Sequence, residues 1–408
     1  MPDVEKIQKY AGLAVRVGIN LQKGQLLAIN APVECAPFAR ACVRAAFEAG
    51  AKDVRVFWKD DPCLKLRYQN AEEEALCAVS GWQLESRMEY IRQGAGWLSI
   101  SASDPELFAD VEPGRMQKAD RASSAAFRPF SDAIMANKNP WCVMSVPTEA
   151  WAKKVFPQSA DPVEELWSAI FRAVRLDEAD PVEAWRQHQS RLAEQTKKLN
   201  ARRFTALRYR NGLGTDLTVG LPEGHLWCGG QDRLQSGLPF TANMPTEEIF
   251  TAPHRDRVEG VLYSSLPLNH QGALIDGIRL VFEKGRVVKY SAKTGEDRLG
   301  HLLDTDEGAR RLGEMALVPC GSPISEMGIL FYNTLFDENA SCHFALGEAY
   351  SECVEGGNSL SKEELLRRGL NDSLIHVDFM VGTEDLSITG IRADGTEEPV
   401  FENGRWAI

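Results

Sequence analysis

A histidine and an aspartate in the last tenth of the chain have a spacing that suits metal binding. In an extended strand, alternate residues project from one face, so His376 and Asp378 would point together while Val377 and Phe379 pack behind them. An imidazole and a carboxylate placed in this way are good ligands for a first-row divalent metal. The tripeptide His-x-Asp also arises by chance and at strand ends, so it needs support from other residues.

A second histidine and two further acids lie in or beside apolar segments. Glu338 and His343 precede the apolar run 344–346, which argues against an ordinary surface loop. A buried histidine or glutamate must be paired or metal-bound, because an isolated buried charge is costly. Glu314 likewise enters the apolar run 315–318.

Glu247 and Glu248 form an acidic pair directly after Thr246. One interpretation of this pair is a helix N-terminus, in which Thr246 caps the helix and the acids favour its dipole. The other is metal binding. Several carboxylates and two histidines concentrated in one half of the chain fit a two-metal site, in which the cations stand roughly 3.5–4 Å apart.

Composition and charge exclude several classes of protein. The chain has 408 residues of ordinary globular composition, which excludes collagen-like and disordered chains. Its formal charge of -12 makes it a poor electrostatic partner for nucleic acid or for an anionic membrane surface. Phosphate-binding, serine-hydrolase and His-Glu-x-x-His motifs are absent. Cys342 stands beside His343, but strand neighbours point apart and no orienting third group accompanies them.

The cysteines and the N-terminus predict a cellular compartment. Nine cysteines form no Cys-x-x-Cys pair, which favours reduced thiols over a disulfide framework. The N-terminus has no apolar region typical of a signal peptide, and the chain has no run of about 18 apolar residues. We therefore expect a soluble, cytoplasmic protein without a membrane segment.

The first half of the chain alternates between strand and helix patterns. Two apolar strand patterns, at 26–30 and 54–58, flank a helical pattern at 37–48. Strand, helix and strand over about thirty residues form a βαβ unit, which implies a parallel sheet.

The pattern changes after a polar helix at about residues 180–198. Beyond it, short strands alternate with turn residues such as Asn211-Gly212. The sequence therefore predicts an α/β N-terminal domain with a parallel sheet over residues 1–185. It predicts a strand-rich α+β domain, which carries the metal site, over residues 186–408.

Five ordered blocks of the second half resemble the M29 metallo-aminopeptidases, the group of thermophilic aminopeptidase T, AmpS and PepS. The match runs in order through most of the second predicted domain, and it is far more specific than any single motif. The blocks are residues 243–251, 257–260, 312–318, 338–347 and 376–380.

The resemblance implies a ligand set, an active-site tyrosine and an activity. Glu314 falls on the position that bridges two metals, and Tyr350 falls on the tyrosine of the family's active site. The resemblance further implies a cytosolic homodimer that releases N-terminal amino acids from peptides with two divalent cations, such as zinc or cobalt. The implied ligands are Glu248, Glu314, Glu338, His343, His376 and Asp378.

The hypothesis for the reaction is attack by a metal-activated water. Two dications lower the pKa of a bound water, and Tyr350 would donate a hydrogen bond to the developing oxyanion. Glu247 is the candidate that moves the proton to the leaving amine, on the basis of its adjacency to Glu248. The alternative for Glu247 is an acid at a helix start or at the surface.

Two other functions stay open at this point. Ring-cleaving dioxygenases of a related fold would keep one iron on two histidines and one carboxylate, and would dispense with Glu248, Glu314 and Glu338. A non-enzymatic binding module would have to bring the same polar groups together without a metal, against their mutual repulsion.

Overall fold

The chain forms two compact units in the computed structural model, which describes residues 4–102, 104–270 and 272–408. The first unit runs to Ser190 and adds Gln231–Thr246, and the second comprises Arg191–Gly230 and Glu247–Ile408. The predicted fold class is confirmed: a parallel sheet with helices comes first and a strand-rich α+β part follows. The domain boundary at residue 185 stays a prediction.

The α-helices and strands of the described residues have the following bounds. The helices are α1 (Val4–Leu13), α2 (Ala36–Glu48), α3 (Asp61–Asn70), α4 (Glu73–Cys77), α5 (Gly81–Arg92), α6 (Pro113–Met135), α7 (Glu149–Val155), α8 (Pro162–Ala173), α9 (Pro181–Arg202), α10 (Glu296–Leu303), α11 (Thr334–Asp337) and α12 (Lys362–Arg367). The strands are β1 (Leu26–Pro32), β2 (Asp53–Lys59), β3 (Gly96–Ile100), β4 (Trp141–Met144), β5 (Ala206–Arg210), β6 (Asp216–Gly220), β7 (Cys228–Gly229), β8 (Asp232–Arg233), β9 (Pro239–Phe240), β10 (Asn243–Met244), β11 (Ile249–Thr251), β12 (Val258–Tyr263), β13 (Leu268–His270), β14 (Ala273–Ile275), β15 (Arg279–Glu283), β16 (Arg286–Ser291), β17 (Leu312–Leu317), β18 (His343–Gly347), β19 (His376–Met380), β20 (Ser387–Ile391), β21 (Glu397–Glu402) and β22 (Arg405–Trp406).

The first unit is built on a parallel sheet with strand order β10-β4-β3-β1-β2. Helix α2 connects β1 to β2, with Pro37 in its first turn, where the missing N–H costs nothing. It buries Phe38, Cys42 and Ala46, which follow a four-residue period along one side of the helix. The predicted βαβ unit is therefore confirmed.

The second unit contains two large sheets that share one apolar core, beside the two-stranded sheet β13-β14. An eight-stranded sheet has the order β16-β15-β12-β6-β5-β20-β21-β22, and a five-stranded sheet has the order β19-β18-β17-β11-β7. Leu217 and Leu262 from the larger sheet belong to the same buried cluster as Phe344 and Phe379 from the smaller one. Burial on that side fixes the pairing register of the smaller sheet, because a slip by one residue would turn every side chain over.

No helix in the described part of the chain combines the length and the apolar character that crossing a membrane requires.

Candidate metal centre

The candidate ligands on β17, β18 and β19 (Glu314, His343, His376 and Asp378) lie on one face of the five-stranded sheet, the ligand face. Glu314 on β17 pairs with Ala345 on β18, which in turn pairs with Asp378 on β19. His376 pairs with Gly347 two residues along the same strands, so it lies on the same face as Asp378. The small side chain of Ala345 leaves space between Glu314 and Asp378 on either side of it.

The opposite face of these strands packs into the core. Val377 and Phe379 of β19 contribute to the apolar cluster there, as the sequence predicts. Cys342 also belongs to this cluster, and its Sγ lies 3.3 Å from the Val318 carbonyl oxygen. It therefore points away from His343, as expected for strand neighbours.

Two groups of side chains present ligand atoms at metal-binding distances. Glu248, Glu314 and His343 form the first group, and Glu314, His376 and Asp378 form the second. Within each group the ligand atoms lie within 4.8 Å of one another. Glu314 belongs to both groups and therefore stands between them.

Glu314 faces one imidazole with each of its carboxylate oxygens. Its Oε1 lies 3.8 Å from Nε2 of His343, and its Oε2 lies 3.2 Å from Nε2 of His376. Oε2 of Glu248 lies 3.0 Å from the same His343 nitrogen, and Oδ1 of Asp378 lies 3.5 Å from Nε2 of His376. Each imidazole thus points its Nε2 at two carboxylates.

Backbone carbonyls hold the other nitrogen of each imidazole. Nδ1 of His343 lies 3.1 Å from the Ser341 carbonyl oxygen, and Nδ1 of His376 lies 2.8 Å from that of Glu348. A carbonyl only accepts hydrogen bonds, so Nδ1 carries the proton in both rings. This arrangement is typical of metal-binding histidines, because it orients the ring and leaves the Nε2 lone pair for the metal.

Burial and charge change the ionisation of these residues. Although burial opposes ionisation of Glu314, the imidazoles of His343 and His376 lower the pKa of its carboxyl to about 2. Burial by itself would lower the pKa of each imidazole, but the neighbouring carboxylates raise it by more. Both pKa values therefore lie well above the usual range. Burial raises the pKa of Glu248. The cluster therefore attracts positive charge.

The residues present fit a divalent cation. Nε2 of His343 and Oδ1 of Asp378 are buried, and although Glu248 and His376 lie near them, neither atom makes a well-aligned hydrogen bond within the described part of the chain. A buried polar atom without a partner is costly, and a cation bound in each of the two ligand groups would satisfy the atom that belongs to that group. Imidazole nitrogens and carboxylate oxygens are ligands that zinc and similar metals accept.

Glu338 and Glu247 lie outside both ligand groups. Burial and the carboxylates of Asp378 and Glu248 raise the pKa of Glu338 well above its usual range. Glu247 is buried, which rules out the alternative of a surface acid.

The alternative of a helix N-terminus at Glu247 is wrong. Residues 245–248 are not helical, and Ile249–Thr251 forms β11, which pairs with β17. The backbone N–H of Glu247 donates to Oδ1 of Asn339 at 2.7 Å. The N–H of Glu247 is therefore bound by an amide side chain from another segment and not within a helical turn.

Tyr350 lies beside the candidate ligands. Its ring centroid is 5.0 Å from that of His376 in an edge-to-face arrangement and 5.7 Å from that of Phe250. Burial and the nearby carboxylates, Glu314 first among them, raise the pKa of the Tyr350 hydroxyl well above its usual range. The hydroxyl therefore stays protonated and able to donate a hydrogen bond.

Sequence reasoning missed the residues that position the ligands. Asn339 contacts the backbone of Glu247, and its Nδ2 donates to the Leu335 carbonyl at 2.9 Å. In the sequence, the only indication that Asn339 has this role is its position directly after Glu338. The carbonyls of Ser341 and Glu348 have no signal at all, because every residue carries a carbonyl.

Comparison with known proteins gives consistent matches over the full chain. The family model described as thermophilic metalloprotease (M29) matches residues 3–406. Aminopeptidase 2 of Geobacillus stearothermophilus is 49% identical over 406 residues, which cover 99% of this chain and 98% of that protein. Aminopeptidase AmpS of Bacillus subtilis is 45% identical over 406 residues, which cover 99% of this chain and 99% of that protein.

Two solved structures share the fold. Wild-type AmpT from Thermus thermophilus superposes with a TM-score of 0.90 at 43% identity, over 99% of each chain. The 2,5-dihydroxypyridine dioxygenase from Pseudomonas putida superposes with a TM-score of 0.56 at 12% identity, over 100% of this chain and 98% of that chain. At that identity the second likeness extends to the fold alone.

Proposed function

The chain belongs to the M29 family of metalloproteases and is a metallo-aminopeptidase, and we propose that it cleaves N-terminal residues from peptides with two divalent metal ions. The proposed ligands of these ions are the two groups joined by Glu314, with Glu338 as a further ligand beside them.

The position of Glu314 is the observation that carries this proposal. It is the member common to both ligand groups, and its two oxygens face different imidazoles. A carboxylate that offers one oxygen to each side is suited to bridge two cations. A single iron on two histidines and one carboxylate would leave Glu248 and Glu338 buried without a task.

Each residue near the ligands has a proposed task in hydrolysis. Two bound dications would polarise the scissile carbonyl and lower the pKa of a coordinated water towards neutrality. The Tyr350 hydroxyl donates a hydrogen bond to the oxyanion that develops on the carbonyl oxygen. Glu247 accepts a proton from the attacking water and delivers it to the leaving amine.

The test is hydrolysis of aminoacyl-p-nitroanilides by protein of known metal content. Chelated protein should be inactive, and activity should rise with added zinc or cobalt until two metal ions are bound per chain. Glu314→Gln should bind neither ion tightly and should stay inactive. A protein that binds one iron, and that cleaves none of the substrates with any divalent metal, would exclude the proposal.

We also propose a cytoplasmic homodimer that acts on peptides. The nine free cysteines support a reducing compartment, because disulfides persist mainly in oxidising ones. The dimer rests on the likeness to the M29 group. Sedimentation equilibrium of the purified chain tests it, and a mass of one chain at micromolar concentration would contradict it.

A further inference from the structure

We infer that Gly313 and Glu348 are positioning residues of the proposed metal centre, which they serve without contacting the metal or the substrate. Gly313 turns Glu314 onto the ligand face, and Glu348 holds the imidazole of His376. This inference rests on the proposed function, and it concerns how the fold places two of the ligands.

The pairing of β17 with β18 contains one extra residue at Gly313. Leu312 pairs with Leu346, but Glu314 pairs with Ala345, so the register shifts between the two positions. In an unbroken ladder Glu314 would pair with Phe344 and would point into the apolar core. The bulge lets Leu312 stay in the core while Glu314 points to the opposite face.

Gly313 also has no room for a side chain. A Cβ at this position would overlap the carbonyl oxygens of Gly347 and Glu348, which are backbone atoms and cannot turn away. Any larger residue must therefore push the chain at Glu348 away from β17. The Glu348 carbonyl is the acceptor for Nδ1–H of His376 at 2.8 Å, so this displacement would reach the imidazole directly.

Glu348 is joined to the segment that leads into His376 by three hydrogen bonds. Its carbonyl accepts from His376, its backbone N–H donates to the Ile375 carbonyl at 2.7 Å, and its Oε2 accepts from the Ser373 N–H at 2.6 Å. The side chain and the backbone of one residue thus fix both ends of the turn before β19. Loss of the Glu348 carboxylate would remove one of the bonds at the first end of that turn and leave those that Asp306 accepts from Ser373 Oγ and Leu374 N–H.

Cobalt titration, followed by visible absorption, tests the inference. Gly313→Ala should bind cobalt about 10- to 100-fold more weakly than the wild type, which is the loss that disturbed outer partners of metal ligands usually cause. Gly260→Ala is the matched control, because a Cβ there overlaps the Asp216 carbonyl oxygen in the eight-stranded sheet, away from the ligands. It should lose thermal stability but should keep the wild-type affinity.

Glu348 provides a second and gentler variant. Glu348→Ala should weaken cobalt binding about tenfold, whereas Glu348→Gln should restore it, because the amide oxygen still accepts from Ser373. Wild-type affinity in both Gly313→Ala and Glu348→Ala would overturn the inference, as would an equal loss of affinity in Gly260→Ala. If Gly313→Ala does not fold, the two Glu348 variants decide. A wild-type chain that binds no cobalt would instead overturn the proposed function, and this inference with it.

Discussion

The Tyr350 hydroxyl is the only part of that side chain that the proposed reaction uses. Tyr350→Phe keeps the ring contacts with His376 and Phe250, so the fold and the ligands should be undisturbed. Loss of one donor to an oxyanion typically costs about 100- to 1,000-fold in kcat. We expect a loss of this size with an unchanged metal content, measured by steady-state kinetics and metal analysis on the same sample. Loss of metal from Tyr350→Phe would assign the residue a ligand role instead.

Glu314 and Glu247 should respond differently to the same substitution. Glu314→Ala removes the residue shared by both ligand groups, so metal and activity should be lost together. Glu247→Ala removes an acid that lies outside the groups, so turnover should fall about 100-fold or more while both metals stay bound. Metal analysis beside steady-state kinetics separates the two cases. Release of metal from Glu247→Ala would overturn the roles assigned to these two acids.

At the scale of single residues, the sequence predicts what chemistry is available but not what holds it in place. His376 and Asp378 can be recognised as candidate ligands from the sequence alone, because their residue types and their two-residue spacing do not depend on knowing the fold. The partners of the imidazoles are carbonyls of Ser341 and Glu348, and the partner of the Glu247 backbone is Asn339. Such contacts join distant segments through atoms that every residue possesses, so no local pattern reveals them.

Neighbouring residues of strand β18 point to opposite faces of the sheet, one to the ligand face and one to the core. Ala345 lies between Glu314 and Asp378 on the ligand face, and Phe344 lies in the core. Ala345→Val should fill the space next to the ligands, so metal binding should weaken at least tenfold.

Phe344→Leu is the matched variant for Ala345→Val, because it lies on the same strand and faces the other side. It should lower the free energy of unfolding by about 1–2 kcal/mol through the cavity that it leaves. It should bind metal as the wild type does. Cobalt titration and chemical denaturation of both variants test the pair, and weaker binding in Phe344→Leu alone would contradict the assignment of faces.

At the scale of elements, local periodicity predicts well and non-local pairing does not. Strand β19 follows from the alternation of polar and apolar residues in 376–380, and helix α2 follows from its four-residue period. Thr246, Glu247 and Glu248 have the composition of a helix start. A strand, β11, follows them instead, because it pairs with β17, more than sixty residues further along the chain. A glycine inside a strand pattern is a local indication of the bulge at Gly313. Which side chains the bulge turns to the other face depends on the pairing of β17 with β18.

The acidic excess of the whole molecule is in part internal. The formal charge is -12, and Glu248, Glu314 and Glu338 are buried in the second unit instead of exposed to solvent. Acids in this environment repel one another, so a bound cation should stabilise the folded state as well as supply chemistry.

Hydrogen exchange should show where this stabilisation acts. A ligand that binds only the folded state stabilises it by about 4 kcal/mol when its free concentration is 1,000 times its Kd. All the proposed ligands belong to the second unit, and β17, β18 and β19 carry four of them. We expect chelation to speed the exchange of amides in these strands and in β11.

The amides of the parallel sheet provide the internal control for this comparison. Strands β1 to β4 belong to the first unit and carry none of the proposed ligands, so their exchange should stay the same with and without metal. The measurement compares peptide-resolved exchange of the zinc-loaded and chelated protein, with Glu314→Gln as a variant that should resemble the chelated form under both conditions. Faster exchange in β1 to β4, with no change in β17 to β19, would place the metals outside the second unit and would contradict the ligand set, because a bound ion protects first the strands that hold it.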